Sequence, residues 1–227
     1  MSKSEQANIK RNNQRKFINK FVDLPVKLLI KYGFTPNILS FCGFFCSITV
    51  AVLLAWKGLH FPIQIVWIVP FVLFWAGAFD LFDGEVARRT ENISKSGAFL
   101  DSNLDRISDA IIVLGLIMGD YFNYVTGFVI LFLIIMISYI RARAENEGID
   151  MKGVGFMERA IRLIFLWLAF ILEFWIFYLS NILFGTSFTL FFPIFTSIFT
   201  GLLILTIVQR LIFSFKSLTK IETLDKK

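Results

Sequence analysis

The sequence predicts an all-α integral membrane protein, with six transmembrane helices preceded by an amphipathic helix in the membrane interface. Three observations predict it. Of 227 residues, 56% are hydrophobic and only 18% charged, against about 45–50% and about 25% in soluble domains, and the mean hydropathy is +0.70. Uncharged runs long enough to cross a bilayer core, about 20 residues each, recur along the chain. Basic residues gather on one set of alternate connections between those runs. A soluble enzyme, a disordered chain and a disulfide-stapled secreted domain are excluded on composition. The net charge of +6 follows the membrane sidedness, so no nucleic-acid partner is expected.

Residues 1–33 read as a cytosolic amphipathic juxtamembrane segment and 34–227 as one six-helix domain. In the first segment Phe17, Ile18, Phe21, Val22, Leu28 and Leu29 recur at three- to four-residue spacing against Lys16, Lys20, Lys27 and Lys31. That pattern suits a helix lying on the cytosolic surface, with a kink at Pro25. The polar first 15 residues predict no cleavable leader.

Thr35–Trp56 and Gly58–Phe79 are uncharged runs of 22 residues each, and Tyr121–Ile140 is one of 20. Phe174–Gln209, at 36 residues, is too long for one span, and a break is expected at Ser180-Asn181 and Gly185-Thr186-Ser187. A further span pairs the apolar Ile107–Gly119 with a charged start at Gly97. The six spans fall near 35–57, 62–89, 97–118, 121–144, 156–180 and 188–214. Of the 23 basic residues only Lys57 falls in an opposite-side connection, so the termini and the loops near 90–96 and 144–156 are assigned to the cytosol of a multi-pass cell-membrane protein. Cys42 and Cys46 sit in an apolar run as packing residues, and His60 is the one histidine, which leaves little room for thiol or imidazole chemistry.

Five aspartates crowd into 30 residues: Asp80, Asp83, Asp101, Asp105 and Asp109. Ionisable residues in spans are costly and mark function. Asp80 and Asp83 are i,i+3 at the end of the second span, and Asp101 and Asp105 are i,i+4 at the start of the third, so each pair shares a face. A short link makes these helices antiparallel neighbours with the pairs facing. Four carboxylates in a low dielectric need compensating cations. Arg88 and Arg106 are candidates, and one or two Mg²⁺ or Mn²⁺ ions match the hard oxygen donors better. Gly84 and Gly97 open the backbone to a bulky group. The cluster lies shallow on the cytosolic side, at headgroup depth.

The segment Asp80-Leu-Phe-Asp83-Gly84-Glu-Val-Ala87-Arg88, followed after eight residues by Gly97-Ala-Phe-Leu-Asp101-Ser-Asn-Leu-Asp105, resembles the signature of the CDP-alcohol phosphotransferases at every fixed position. The resemblance implies transfer of a substituted phosphate from a CDP-linked lipid to an acceptor hydroxyl, with release of CMP. It implies that Asp80, Asp83, Asp101 and Asp105 hold two metal ions, Mg²⁺ or Mn²⁺, and that Asp105 is the catalytic base. It places Gly84, Ala87, Arg88 and Gly97 at the cytidine diphosphate. Thr35-Pro36-Asn37-Ile-Leu-Ser40 resembles the family's Pro-Asn-x-x-Thr element, which adds Asn37 and Ser40 to the nucleotide site. The same residues also read as a helix start with Pro at N1. A homodimer is implied by the resemblance alone.

A second constellation concerns the acceptor. Arg141 and Arg143 end the fourth span about 200° apart, so one of them faces the site. Arg159 and Arg162 are i,i+3 at the start of the fifth, and Arg210 stands alone in the apolar sixth. Arginines converging near the metal site fit an acceptor that already carries a phosphate. Ser138-Tyr-Ile-Arg141-Ala-Arg143-Ala-Glu145 and Glu158-Arg159-Ala-Ile-Arg162 resemble the inositol 1-phosphate branch of the family, the phosphatidylinositol-phosphate and archaetidylinositol-phosphate synthases. Arg141, Arg159, Arg162 and Arg210 are the expected acceptor-phosphate contacts. Glycerol 3-phosphate or serine as acceptor, a CDP-inositol donor, and a divalent-cation transporter are the alternatives.

Overall fold

The computed structural model describes residues 22–185 and 190–225, and these form α-helices with one 3₁₀ turn and no strand. Helix α1 covers residues 22–31. It is followed by α2 (Pro36–Ala55), the turn Gly58–His60, α3 (Ile68–Arg89), α4 (Lys95–Met118), α5 (Tyr124–Asn146), α6 (Arg159–Phe184) and α7 (Phe191–Asp225). Local chemistry sets the starts. Thr35 caps α2 by accepting from the Ile38 amide, with Pro36 at N1. Ser94 caps α4 through the Gly97 amide at 3.0 Å, and Asn123 caps α5 through the Thr126 amide at 2.9 Å.

Helix α2 packs against both α3 and α4, α5 packs against α4 and α7, and α3 meets α6. The approach of α4 to α2 requires glycine. A Cβ on Gly115 would lie 2.5 Å from the Ala51 carbonyl oxygen, and one on Gly119 would overlap the Leu54 carbonyl. The resulting core includes Leu54, Leu73, Ile112, Leu116, Ile130, Phe170 and Leu203. A second cluster ties Val22 and Val26 of α1 to Leu39, Phe82 and Val86.

Four helices, α2, α5, α6 and α7, are long and apolar enough to cross a membrane, which fits a membrane protein. The six predicted segments all appear as helices, but α3 and α4 do not qualify as spans on their own. Asp80, Asp83 and Glu85 in one, and Asp101, Asp105 and Asp109 in the other, dilute their apolar length. Ser180-Asn181 does not break the chain. Both side chains donate to the Phe177 carbonyl, at 3.0 and 2.9 Å, which keeps their polar atoms within the helix. The stop comes at Gly185, with φ +66°. Helix α3 begins at Ile68 and not at 62, because Pro62 opens a turn that accepts from the Ile65 amide. Helix α7 runs past 214 to Asp225, where Leu218 packs on Ala144, Ile149 and Met151.

Of the juxtamembrane segment, Phe17, Ile18, Phe21, Lys16 and Lys20 lie outside the described residues. The described part is helical on both sides of Pro25 and buries Val22 and Val26 while exposing Lys27 and Lys31. Asp23 accepts from Lys27 at 2.6 Å and from Arg89 at 2.7 Å. These hydrogen bonds, that to Lys27 first, hold its carboxyl below the usual carboxylate range. Arg89 thereby fastens α1 to the end of α3.

Candidate active site

The aspartates meet because α3 and α4 run antiparallel on either side of a common neighbour, α2. Asp80, Asp101 and Asp105 each present one carboxylate oxygen within 4.8 Å of the others. Asp83, one turn beyond Asp80, is buried, and its Oδ2 accepts a 2.7 Å hydrogen bond from Ser40 Oγ of α2. Asp83 and the other three line one narrow cleft with Ser40 and Gly43. The donors are all carboxylate oxygens, the set that Mg²⁺ and Mn²⁺ accept. Three of them stand close enough to share one ion, so the residues present fit the expected cofactor.

The protein also supplies cations of its own. Arg159, first residue of α6, reaches across so that its Nη1 pairs with both Asp80 and Asp105, at 2.6 Å from the latter. Its Nε stands 3.9 Å from Asp109. Arg162, one turn on, pairs with Asp109 and donates to the Met157 carbonyl at 3.0 Å. The Arg162 and Asp109 side chains are only 5% and 7% exposed, so this is a buried ion pair.

Two cavities open from the cluster. One, of about 410 Å³, is lined by Asn37, Ser40, Gly84, Ala87, Arg88 and Gly97 together with Asp83 and Asp101. All six residues expected at the nucleotide are therefore brought together. Gly84 leaves open space there, because a Cβ on it would have only the Arg88 guanidinium tip in contact, at 3.6 Å. Arg88 itself is held by Glu85, at 2.6 Å. The other cavity, of about 360 Å³, is lined by Arg141, Arg159, Arg162 and Arg210 together with Asp101, Asp105 and Asp109. The four arginines expected at the acceptor phosphate thus share one wall system. Arg143 points elsewhere, pairing with Glu147 at 2.6 Å, as the 200° separation from Arg141 predicts. Arg210 is buried, and two of its donors are engaged by the Val154 and Ile137 carbonyls at 2.9 and 2.6 Å. Arg141 is paired with Glu145 at 2.9 Å.

Sequence reasoning left several lining residues unassigned: Thr35, Asn92 and Ser94 in the first cavity, and Ser102, Ser138 and Glu158 in the second. The cap position of Thr35 and Ser94 carried a signal that helix-start patterns reveal. Asp109 was recognised as an intramembrane carboxylate, but its partner Arg162 lies 53 residues away and no local pattern points to it.

Known proteins have chains and folds similar to this one. The family model for CDP-alcohol phosphatidyltransferase matches residues 34–207. The chain is 38% identical to an archaetidylinositol phosphate synthase of Pyrococcus horikoshii, over 63% of this chain and 72% of that protein. It is 34% identical to a phosphatidylinositol phosphate synthase of Mycobacteroides abscessus, over 60% of this chain and 61% of that one, less than two thirds of its length. Among solved structures, the Mycobacterium tuberculosis phosphatidylinositol phosphate synthase with CDP-DAG bound superposes with TM-score 0.68 at 26% identity, covering 86% of this chain and 94% of that one. The same enzyme has been crystallised with manganese and citrate, TM-score 0.67. With its aspartate signature, its two cavities and a family match over most of its length, the chain belongs to the CDP-alcohol phosphatidyltransferase family.

Proposed function

We propose that this protein transfers a phosphatidyl-type group, diacylglycerol- or archaeol-phosphate, from a CDP-linked lipid to inositol 1-phosphate. The products are CMP and a phosphoinositol lipid phosphate. The observation that carries this reading is the position of Asp101, which lines both cavities. A donor seated among Gly84, Ala87 and Arg88 and an acceptor seated among the arginines would meet at the aspartates. Relatives named for inositol-phosphate lipid synthesis support the acceptor, and the CDP-DAG and manganese complexes of one relative support the donor and the cofactor.

The chemistry assigned to the residues is direct. The acceptor hydroxyl oxygen forms a bond to the lipid-side phosphorus as the pyrophosphate P–O bond breaks and CMP departs. Asp105, in the acceptor cavity beside Asp101, takes the hydroxyl proton. Ser40 holds Asp83 in place by its hydrogen bond, and Arg159 and Arg162 orient the acceptor phosphate through forked contacts. Asp80, Asp83, Asp101 and Asp105 would hold two Mg²⁺ or Mn²⁺ ions, which when bound would neutralise the charge that gathers on the pyrophosphate. Six membrane crossings with the site and both termini cytosolic, residues 1–33 on the membrane surface, and a homodimer complete the proposal.

The test is CMP release by the purified protein with CDP-diacylglycerol and Mn²⁺ or Mg²⁺, across inositol 1-phosphate, inositol, glycerol 3-phosphate and serine. Turnover is expected with inositol 1-phosphate alone. Equal use of free inositol would show that the arginine cavity does not bind a phosphate. In the same assay Ser40→Ala is expected to weaken CDP-lipid binding roughly tenfold, since one hydrogen bond to a charged carboxylate is worth about 1.5 kcal/mol or more.

A further inference from the structure

Two cations of different kind are set against one group of carboxylates. Arg159 is the first residue of α6, yet its side chain reaches the facing aspartates of α3 and α4. One nitrogen, Nη1, donates to Asp80 and stands 2.6 Å from Asp105. These are two of the three residues whose carboxylate oxygens lie within 4.8 Å of one another and could hold an ion. A Mg²⁺ ion bonded to both would sit about 2.1 Å from each oxygen, inside contact distance of that nitrogen. Two cations cannot share the place, so the guanidinium and the divalent ion compete for the same carboxylates.

Arg159 has a second seat within reach. It lines both the narrow aspartate cleft and the arginine cavity, so turning about its side-chain bonds takes the guanidinium from one toward the other. Its seat among the aspartates is incomplete. The Nε is enclosed without a hydrogen-bond partner, with Asp109 at 3.9 Å. An enclosed donor left unbonded is unfavourable, which lowers the cost of leaving. The other arginines expected at the phosphate are not placed this way. Arg162 is buried against Asp109, Arg210 is held by two carbonyls and Arg141 by Glu145.

We propose that Arg159 links the two sites: a divalent ion at the aspartates turns its guanidinium out into the arginine cavity, and a phosphate there draws it out and leaves the carboxylates to the ion. The planar fork that pairs with carboxylates suits phosphate oxygens equally. Ion and phosphate then tighten each other's binding by the same factor. The inference rests on the metal and phosphate sites of the proposed function and adds a dependence between them. The phosphate pocket is completed only when the metal is seated.

The experiment titrates the full chain with Mn²⁺ in phosphatidylcholine nanodiscs free of CDP-lipid, with and without inorganic phosphate, and follows free Mn²⁺ by its EPR signal. In the wild type, saturating phosphate is expected to tighten Mn²⁺ binding roughly fivefold or more. Arg159→Gln, which removes the competing cation, should bind Mn²⁺ alone roughly tenfold more tightly or better, and should lose the response to phosphate. Arg141 lines the arginine cavity but not the aspartate cleft, so Arg141→Gln, an equal loss of charge, should change Mn²⁺ affinity less than roughly threefold. Unchanged or weaker Mn²⁺ binding by Arg159→Gln would overturn the proposal and leave the metal site standing. Equal tightening by Arg141→Gln would overturn it too, as a general effect of charge. Absence of Mn²⁺ binding by the wild type would overturn the metal site itself. Should Arg159→Gln fail to fold, labelling of wild-type Arg159 by phenylglyoxal, located by mass spectrometry, decides the matter. It should rise several-fold with Mn²⁺ and fall again when phosphate is added, and labelling indifferent to Mn²⁺ would overturn the proposal.

Discussion

Asp101→Asn is expected to reduce transfer to less than a thousandth of wild type, a loss of roughly 4 kcal/mol in barrier lowering. Asparagine matches aspartate in size, so the cleft keeps its shape and loses one charge and one strong oxygen donor. The position is singular because Asp101 faces both the nucleotide cavity and the arginine cavity while standing within 4.8 Å of ligand atoms on Asp80 and Asp105. Chelation of divalent ions should abolish turnover in the unaltered protein, and added Mn²⁺ or Mg²⁺ should restore it. Neither ion should rescue Asp101→Asn. Full CMP release after exhaustive chelation would end the metal assignment.

The second large effect is expected from Arg162, and it divides into two parts. Arg162→Ala strands the buried Asp109 carboxylate, and breaking such a pair from one side costs about 3–5 kcal/mol of stability. On the proposed function it also removes a contact to the acceptor phosphate, worth about 1.5–3 kcal/mol, or roughly ten- to 150-fold in acceptor KM. The double variant Arg162→Met with Asp109→Leu separates them. Replacing both charges by apolar groups should return the Tm close to wild type, because a buried pair contributes little net stability over hydrophobic residues of similar size. The acceptor KM should stay high while CDP-lipid binding is nearly unchanged. Recovery of both Tm and acceptor KM would make Arg162 an anchor of α6 on α4 and nothing more. Arg159→Lys, which keeps the charge without the planar fork, should retain part of the acceptor affinity that Arg159→Ala loses.

What the sequence revealed and what it hid divides along the range of the interactions. The Asp80/Asp83 and Asp101/Asp105 pairs were legible because helical spacing fixes which side chains share a face, and a short link keeps the ends of α3 and α4 close. The sequence did not reveal that the two helices pack on either side of α2 and not directly on each other. The division of Asn37, Ser40, Gly84 and Arg88 from Arg141, Arg159 and Arg210 followed from the motifs. The cavities keep these two groups apart. Pairings between distant helices were invisible: Arg162 with Asp109, Ser40 with Asp83 and His60 with Glu173 each depend on packing that no local period encodes. The end of α6 was misplaced because Ser180 and Asn181 look like breakers in a sequence. In the helix they satisfy themselves on the Phe177 carbonyl.

The single wall shared by the two cavities has a consequence for the order of events. With Asp101 common to both, the proposed reaction brings the phosphorus under attack and the hydroxyl that attacks it to the same carboxylates while both substrates are seated. On the proposed function a ternary complex is expected, with CMP leaving only after the acceptor has arrived. The expected signature is sequential kinetics, in which the lipid phosphate passes from donor to acceptor without a covalent stop on the protein, and CMP release in the absence of acceptor would contradict it.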